Sequence, residues 1–324
     1  MAGQLISQQE AAARILQAQR ILFFMHVSPD GDSIGSSLAL VHALRKIGRE
    51  AVIVGVDPIP RIYQFLPDWD RWLLPWEQVE GEWDLSCFLD CGDLYRVGAA
   101  LPAVAKGRSI LNIDHHSTNT VFGDENWMDF SAAAVGELAY RLLKEMNLPI
   151  GPEEAVSLYT SIVADTGGFR YSSTTAETHR IAAELLEQGV KPYEVAAQIF
   201  ENETPGRLAL LGRALAGLQL DPSGKLAWIV LSREEFEATG ASDHDAEGLV
   251  NWARSLNGVE VGVLLKETAE GSIRVGLRSR FTVDVGLIAK QFGGGGHARA
   301  SGCTMEGPLD QAAERLLAAV RAAL

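Results

Sequence analysis

Histidine and aspartate residues recur in short segments of this sequence, each after an apolar stretch. The segment HVSPDGD at 26–32 places one imidazole and two carboxylates on one loop, where Gly31 permits the bend needed to aim both carboxylates usefully. With three later residues, the candidate metal ligands are His26, Asp30, Asp32, Asp90, His115 and Asp165. Such ligands suit Mn²⁺, Mg²⁺, Fe²⁺ or Zn²⁺. They could hold two cations about 4 Å apart with one carboxylate between them, so the pattern predicts a two-metal centre.

The apolar stretches before these residues are predicted to be strands of one sheet. They alternate with helical patterns such as 33–48, and they lie at ILFFM (21–25), AVIVGV (51–56), LSCFLD (85–90) and SILNID (109–114). This alternation indicates an α/β domain whose mostly parallel sheet is flanked by helices. Because the carboxyl ends of parallel strands share one edge, where ligands bind, the histidine and aspartate segments are expected to converge there.

The pattern changes in the second half of the chain. Helices are predicted at 134–146, 152–164, 175–188 and 192–217, and strand pairs follow at 218–232 and 259–280. Further helices are predicted at 283–292 and 308–323, on either side of four consecutive glycines. The sequence therefore predicts a metal-binding catalytic domain at 1–190, a helical linker at 191–208 and a second, smaller α+β domain at 209–324.

Composition limits the classes of partner. The 324 residues are 47% hydrophobic and 22% charged, as in ordinary globular domains. A net charge of −14 opposes binding of long duplex nucleic acid, whereas residues 271–303 carry five Lys or Arg against one Asp, which suits a small anionic ligand. The three cysteines form no CxxC pair, the N-terminal residues contain no long apolar stretch, and no segment is apolar enough to span a membrane. These features predict a cytoplasmic protein in a reducing compartment.

Several motifs resemble those of the DHH phosphoesterase superfamily. They are HVSPDGDSIGS (26–36), LDCGD (89–93), NIDHH (112–116) and ADTGGFRY (164–171). The segments GLRSR (276–280) and FGGGGHARASG (292–302) resemble the DHH-associated domain that follows in this superfamily. The resemblance covers nearly the whole chain.

The resemblance implies a role for each residue of the metal centre. His26 and Asp30 would hold one Mn²⁺, with Mg²⁺ as the other candidate cation. Asp32, His115 and Asp165 would hold the second cation. Asp90 would bridge the two and is counted among the catalytic residues with His116, which would contact the scissile phosphate or the leaving group, and Asp114, which would orient the histidines.

The resemblance also implies a substrate site in the second domain. Its residues would be Arg278, Ser279, Gly293, Gly294, Gly295, Gly296 and His297. They would hold the nucleotide end of the substrate, with His297 at the phosphate. A glycine run allows backbone N–H groups to approach phosphate oxygens closely.

Size and domain layout are similar to those of the stand-alone oligoribonuclease (nanoRNase A) group of the superfamily. The similarity implies hydrolysis of short oligonucleotides, including dinucleotides, to mononucleotides, and removal of the 3′-phosphate from 3′-phosphoadenosine 5′-phosphate (PAP) to give AMP. A metal-activated water would attack phosphorus in line. The expected partners are short oligonucleotides or nucleotide phosphates, with no long duplex and no membrane, and the chain is expected to be a monomer or homodimer.

Other functions remain open at this stage. A phosphodiesterase for linear or cyclic dinucleotides fits the same motifs, and so does a RecJ-like single-strand exonuclease, which would normally need a longer chain and a longer basic track. An inorganic pyrophosphatase is disfavoured by the glycine-rich segment. A non-catalytic nucleotide sensor is disfavoured by the complete ligand set, since buried carboxylates without a metal would be costly.

Overall fold

The computed structural model describes residues 3–296 and 298–324. The chain divides into two compact units between Asn202 and Glu203. Within the described ranges, every helix is too short or too polar to cross a membrane.

The described part of the first unit contains a seven-stranded sheet in which every pairing is parallel. Its strands are β1 (Gln4–Leu5), β2 (Arg20–Phe24), β3 (Glu50–Gly55), β4 (Leu73–Pro75), β5 (Leu85–Leu89), β6 (Ile110–Asp114) and β7 (Glu125–Met128). The spatial order is β1-β7-β6-β5-β2-β3-β4. Strands β2 and β5 are buried on both faces, as expected from their mostly apolar sequences. The predicted α/β fold with a parallel sheet is confirmed.

Helices flank this sheet on both faces. They are α1 (Gln8–Gln17), α2 (Gly31–Lys46), α3 (Leu101–Val104), α4 (Val135–Glu145), α5 (Pro152–Asp165), α6 (Ala176–Glu187) and α7 (Pro192–Phe200). Helix α1 begins with a capping box in which the Ser7 hydroxyl accepts from the Glu10 N–H and the Glu10 carboxylate accepts from the Ser7 N–H. Helices α2 and α5 pack against each other along their length.

The described part of the second unit contains a mixed six-stranded sheet. Its strands are β8 (Gln219–Leu220), β9 (Leu226–Leu231), β10 (Val261–Glu267), β11 (Ile273–Ser279), β12 (Gly295–Gly296) and β13 (Ala300–Met305). They lie in the order β12-β13-β11-β10-β9-β8, and the pair β9–β10 is parallel. The helices are α8 (Pro205–Ala216), α9 (Arg233–Thr239), α10 (Val250–Ser255), α11 (Val285–Lys290) and α12 (Leu309–Ala323).

Alternation along the strands gives the second unit two apolar cores. Val261, Val263 and Leu265 of β10 face the core formed with α11 and α12, whereas Leu264 faces the core formed with α8 to α10. The predicted α+β character is confirmed. The stretch 192–217, predicted as helical throughout, is interrupted, because α7 ends at Phe200 and Thr204 caps a new helix at Pro205.

Two helical glycines in different surroundings predict opposite effects on stability. A Cβ at Gly35 would lie 2.3 Å from the Ser157 carbonyl oxygen, whereas a Cβ at Gly212 in α8 would have no atom within 4 Å. We expect Gly35→Ala to lower the free energy of unfolding by about 1–3 kcal/mol through overpacking. Gly212→Ala should raise it by about 0.4–1 kcal/mol, because alanine favours helix. Urea denaturation of the two variants would check both signs, and equal effects would contradict the close α2–α5 approach.

Candidate metal centre

The carboxyl ends of the central strands bring the predicted metal ligands together. Asp90 follows β5, and its carboxylate lies between two imidazoles, 3.4 Å from Nε2 of His26 and 3.7 Å from Nε2 of His115. Nε2 of His26 also lies 3.7 Å from the Asp30 carboxylate. Nε2 of His115 lies 3.8 Å from the Asp32 carboxylate and 3.5 Å from the Asp165 carboxylate. Carboxylate and imidazole atoms from four separate segments of the chain therefore meet at one edge of the sheet.

The ligand atoms fall into overlapping groups whose members all lie within 4.8 Å of one another. Those groups are His26 with Asp30 and Asp90, Asp32 with His115 and Asp165, and Asp90 with Asp114, His115 and His116. The first two groups have the membership that the sequence resemblance implies for two separate cations. Asp90 belongs to the first group, and its carboxylate also lies 3.7 Å from Nε2 of His115 in the second, which is the position that a shared carboxylate would need.

The loop at 26–32 is shaped by Asp30 rather than by Gly31. Asp30 is extended (φ −106°, ψ −174°), and its side chain accepts hydrogen bonds from the N–H groups of Asp32 and Ser33, so that it caps α2. Gly31 is the first residue of that helix, and a Cβ there would lie 2.5 Å from the Ala164 methyl group. The prediction that Gly31 supplies the bend is wrong, because close packing against α5 requires glycine there.

Asp32 has a structural role that the sequence does not reveal. Its buried carboxylate accepts hydrogen bonds from the N–H groups of Val135 (2.7 Å) and Gly136 (3.0 Å) and from the Ser161 hydroxyl. The N-cap residue of α4 is Ala134, which has no side-chain acceptor, so Asp32 caps that helix from α2. These bonds hold one candidate ligand in place.

Asp90 adopts a backbone conformation that few residue types tolerate. Its φ of +58° lies in the left-handed region, where aspartate and asparagine are enriched over other non-glycine residues. Its N–H donates to the Ile113 carbonyl oxygen of the adjacent strand at 3.2 Å. The turn after β5 therefore directs the Asp90 side chain back over the sheet edge.

The two histidines of the DHH segment are oriented by different groups. Asp114 is fully buried and accepts from Nδ1 of His116 at 2.7 Å, and from the side chain of Asn119 at 2.6 Å. The His115 ring is held instead by the Ala132 carbonyl oxygen, 3.0 Å from its Nδ1, while Asp114 accepts only the His115 backbone N–H. The contact of the His115 Nδ1 with Ala132 leaves Nε2 as the metal-facing nitrogen of His115. Neither Asn119 nor Ala132 carried any signal in the sequence.

The electrostatics of the cluster show a shortage of positive charge. Burial and nearby carboxylates raise the pKa of Asp90 and Asp32, and they raise the pKa of Asp165 to about 7. Burial opposes protonation of His26, but Asp30 and Asp90 outweigh it and raise the pKa of His26 to about 10. Divalent cations bound by these atoms would relieve the crowding, so the donor set fits divalent metal ions.

Metal binding should therefore stabilise the first unit. We expect Mn²⁺ at about 100 times its dissociation constant to contribute about 2.7 kcal/mol, which corresponds to a rise of about 5–10 °C in Tm. Asp165→Asn, which removes one ligand charge, should reduce the rise. Thermal unfolding with Mn²⁺, with EDTA and with NaCl at matched ionic strength measures this. A rise that NaCl reproduces would contradict specific binding.

In the second unit, Arg278 and Ser279 end strand β11. Nη1 of Arg278 donates to the Leu277 carbonyl oxygen at 3.0 Å. The buried Ser279 hydroxyl donates to the Ala298 carbonyl oxygen at 3.2 Å and accepts from Nη1 of Arg299 at 3.4 Å. The Ser279 hydroxyl thus holds the segment after the glycine run.

The glycine run is a turn followed by a short edge strand. Gly293 has a φ of +73°, and Gly295 and Gly296 pair with Gly302 and Ser301 of β13. A Cβ at Gly294 would lie 2.2 Å from the Gly302 carbonyl oxygen, and one at Gly296 would lie 2.6 Å from that of Ala300. Close approach to β13 therefore explains two glycines, whereas Gly295 is exposed with open space around it. His297 lies outside the described residues.

Known proteins match both units. Residues 20–162 match the DHH family, N-terminal domain, and residues 227–324 match the DHHA1 domain. A bifunctional oligoribonuclease and PAP phosphatase NrnA of Thermus thermophilus is 37% identical over 95% of this chain and 92% of its own length. The protein of the same name from Bacillus subtilis is 30% identical over 88% of this chain and 89% of its own length.

A solved structure supports the same assignment. An exopolyphosphatase-related protein from Bacteroides fragilis superimposes with a TM-score of 0.91 and 28% identity, covering 97% of this chain and 95% of its own. The matched range 20–162 includes the histidine and aspartate side chains that meet at the sheet edge, except Asp165. The chain therefore belongs to the DHH family, carries a C-terminal DHHA1 domain, and is a hydrolase acting on phosphoester bonds.

Proposed function

We propose that this chain hydrolyses short oligoribonucleotides, including dinucleotides, to mononucleotides, and converts PAP to AMP. The observation that carries this proposal is the likeness along 95% of the chain to a relative named for both activities. The three overlapping ligand groups at the sheet edge support it, because phosphoester hydrolysis at a two-metal centre needs such a set.

For the metal centre, we assign His26 and Asp30 to one cation, Asp32, His115 and Asp165 to the other, and Asp90 to both. Mn²⁺ is the proposed ion, with Mg²⁺ as the alternative. When bound, the two cations would neutralise phosphate charge and lower the pKa of a water molecule. Asp32, fixed by the N-terminus of α4, and His115, fixed by Ala132, would hold their ligand atoms in place without rearrangement.

We assign the contact with the scissile phosphate or the leaving oxygen to His116. Asp114 holds the His116 ring through Nδ1 at 2.7 Å, and Asn119 in turn holds Asp114 at 2.6 Å. A ring fixed in this way loses little rotational freedom when substrate binds, which favours reaction. Asp114 therefore acts through His116 and the His115 backbone.

We assign binding of the nucleotide end to the second unit. The residues of this site would be Arg278, Ser279, Gly293, Gly294, Gly295, Gly296 and His297. They belong to the proposed second domain, 209–324, which follows the proposed linker 191–208. Gly295 is exposed on an edge strand, so its backbone can approach a ligand closely. A cytoplasmic location agrees with three cysteines that are all free and buried.

A side-by-side assay tests this function. Wild type should release AMP from the dinucleotide pApA and from PAP with Mn²⁺, and EDTA should abolish both activities. Cyclic di-AMP and pyrophosphate, assayed in parallel, should be poorer substrates. Selective hydrolysis of either would leave the metal centre in place and overturn the substrate assignment. A length series adds a second check, because equal rates on dinucleotides and 20-nucleotide strands would favour a RecJ-like exonuclease.

A further inference from the structure

The guanidinium of Arg96 lies against the metal centre, on the His26 imidazole. Its Nη2 is 3.0 Å from Nδ1 of His26, and the same Nδ1 is 2.8 Å from the Val27 carbonyl oxygen. Arg96 is exposed, whereas His26 is 4% exposed. Within residues 3–296 and 298–324, no carboxylate forms an ion pair with Arg96. A cationic side chain thus lies beside the proposed catalytic centre without an anionic partner.

The two contacts at Nδ1 require opposite proton positions. Arg96 can only donate, so its bond needs a lone pair on Nδ1, whereas the Val27 carbonyl oxygen can only accept and needs a proton there. Nε2 of His26 faces Asp30 and Asp90, so it is the nitrogen that would bind a cation. With Nε2 used in this way, Nδ1 carries the proton and donates to Val27, as ligating histidines commonly do to backbone carbonyls. When Nε2 binds a cation, Nδ1 of His26 therefore offers Arg96 no acceptor, although the guanidinium lies 3.0 Å away.

The backbone at Arg96 is fixed while its side chain can turn. The Val27 N–H donates to the Arg96 carbonyl oxygen at 2.7 Å, and the Arg96 N–H donates to the Asp93 carbonyl oxygen at 3.1 Å. Gly98 has a φ of +54°, and a Cβ there would lie 2.7 Å from Cγ1 of Val27. These contacts therefore hold the segment with Arg96 next to the 26–32 loop.

We infer that Arg96 is a phosphate-binding residue, whose guanidinium, next to His26, binds a non-bridging phosphate oxygen at the metal centre. This rests on the proposed function for the identity of the substrate. A guanidinium beside bound cations is repelled unless an anion lies between them, and a phosphate group offers arginine two acceptor oxygens.

Calorimetry on the full chain tests this, with inorganic phosphate as the probe so that no nucleotide contact contributes. Arg96→Gln should weaken phosphate binding to the Mg²⁺-loaded chain about tenfold or more, the usual effect of losing a hydrogen bond between charged groups. Its Mn²⁺ affinity, titrated without phosphate, should stay the same or rise. Arg96→Lys should retain part of the phosphate affinity. The matched control is Arg108→Gln, which removes an exposed guanidinium just before β6, at the opposite edge of the same sheet.

Two results would overturn the inference. Equal phosphate affinity of the loaded Arg96→Gln and Arg108→Gln chains would show that Arg96 does not bind phosphate. A fall in Mn²⁺ affinity as large as the fall in phosphate affinity would show that Arg96 only holds His26. Failure of wild type to hydrolyse pApA would instead count against the proposed function, since phosphate binding requires no dinucleotide turnover.

Discussion

Asp90→Asn is expected to lower kcat at least about 10³-fold, or about 4 kcal/mol, with the fold retained. The Asp90 carboxylate faces both His26 and His115, so its charge would serve both cations. Asparagine keeps one carbonyl oxygen but loses the negative charge. It also tolerates the φ of +58° at this position better than alanine would, so a loss of rate can be attributed to chemistry rather than to backbone strain.

The control for this variant is Asp84→Asn, at the other end of the same strand. Asp84 precedes β5 and accepts from the N–H groups of Gln19 and Arg20, far from the carboxyl edge. Both variants should show the circular dichroism of wild type, and only Asp90→Asn should lose turnover of pApA and part of the Mn²⁺-dependent rise in Tm. Near-normal turnover of Asp90→Asn with Mn²⁺ would refute the shared-carboxylate assignment.

The sequence allowed the sheet edge to be predicted because its signals are local. Each central strand is mostly apolar, and each apolar stretch is followed at once by a histidine or aspartate. The parallel topology then brings these histidine and aspartate residues together, since parallel strands end at the same edge whatever their order. The actual order, in which β2 lies between β5 and β3, was not needed to predict that His26 and Asp90 would be neighbours.

The short strands at and next to the sheet edges could not be predicted in this way. Strand β1 has two exposed residues, β7 has the partly polar sequence ENWM, and β4 ends at Pro75 in a proline- and tryptophan-rich stretch. None is long enough to show a period, and proline argues against a strand except at an edge. These strands pair because neighbouring segments leave backbone groups to be satisfied, which is a property of the assembled sheet.

The groups that orient the ligands were also beyond prediction. The Val135 N–H that holds Asp32 and the Ala132 carbonyl oxygen that holds His115 are backbone groups, which every residue possesses. The Val135 bond joins residues 103 positions apart. The sequence identified which side chains could bind a metal, because residue type decides that. It could not identify the bonds that fix their directions, because those depend on how α2 and α4 pack.

Arg278→Ala is expected to lower kcat/KM for pApA about 10- to 100-fold, mostly through KM. We assign to Arg278 a charge-assisted hydrogen bond to the nucleotide end, and such bonds are worth about 1.5–3 kcal/mol. A small chromogenic phosphodiester, which lacks that end, should lose less than about twofold. Arg278→Lys should fall between wild type and alanine, because lysine keeps the charge but not the two-pronged geometry.

The matched control for this prediction is Arg274→Ala. Arg274 lies on the same strand and, four residues earlier, on the same face as Arg278, and it is exposed. Both substitutions remove one positive charge, so a general loss of attraction for an anionic substrate would lower the two rates alike. Salt dependence separates the cases further, since a direct contact survives screening that weakens distant charges. Equal losses on pApA and on the chromogenic substrate would place Arg278 outside the nucleotide-end site. The proposed site would then depend on Gly295 and its edge strand alone.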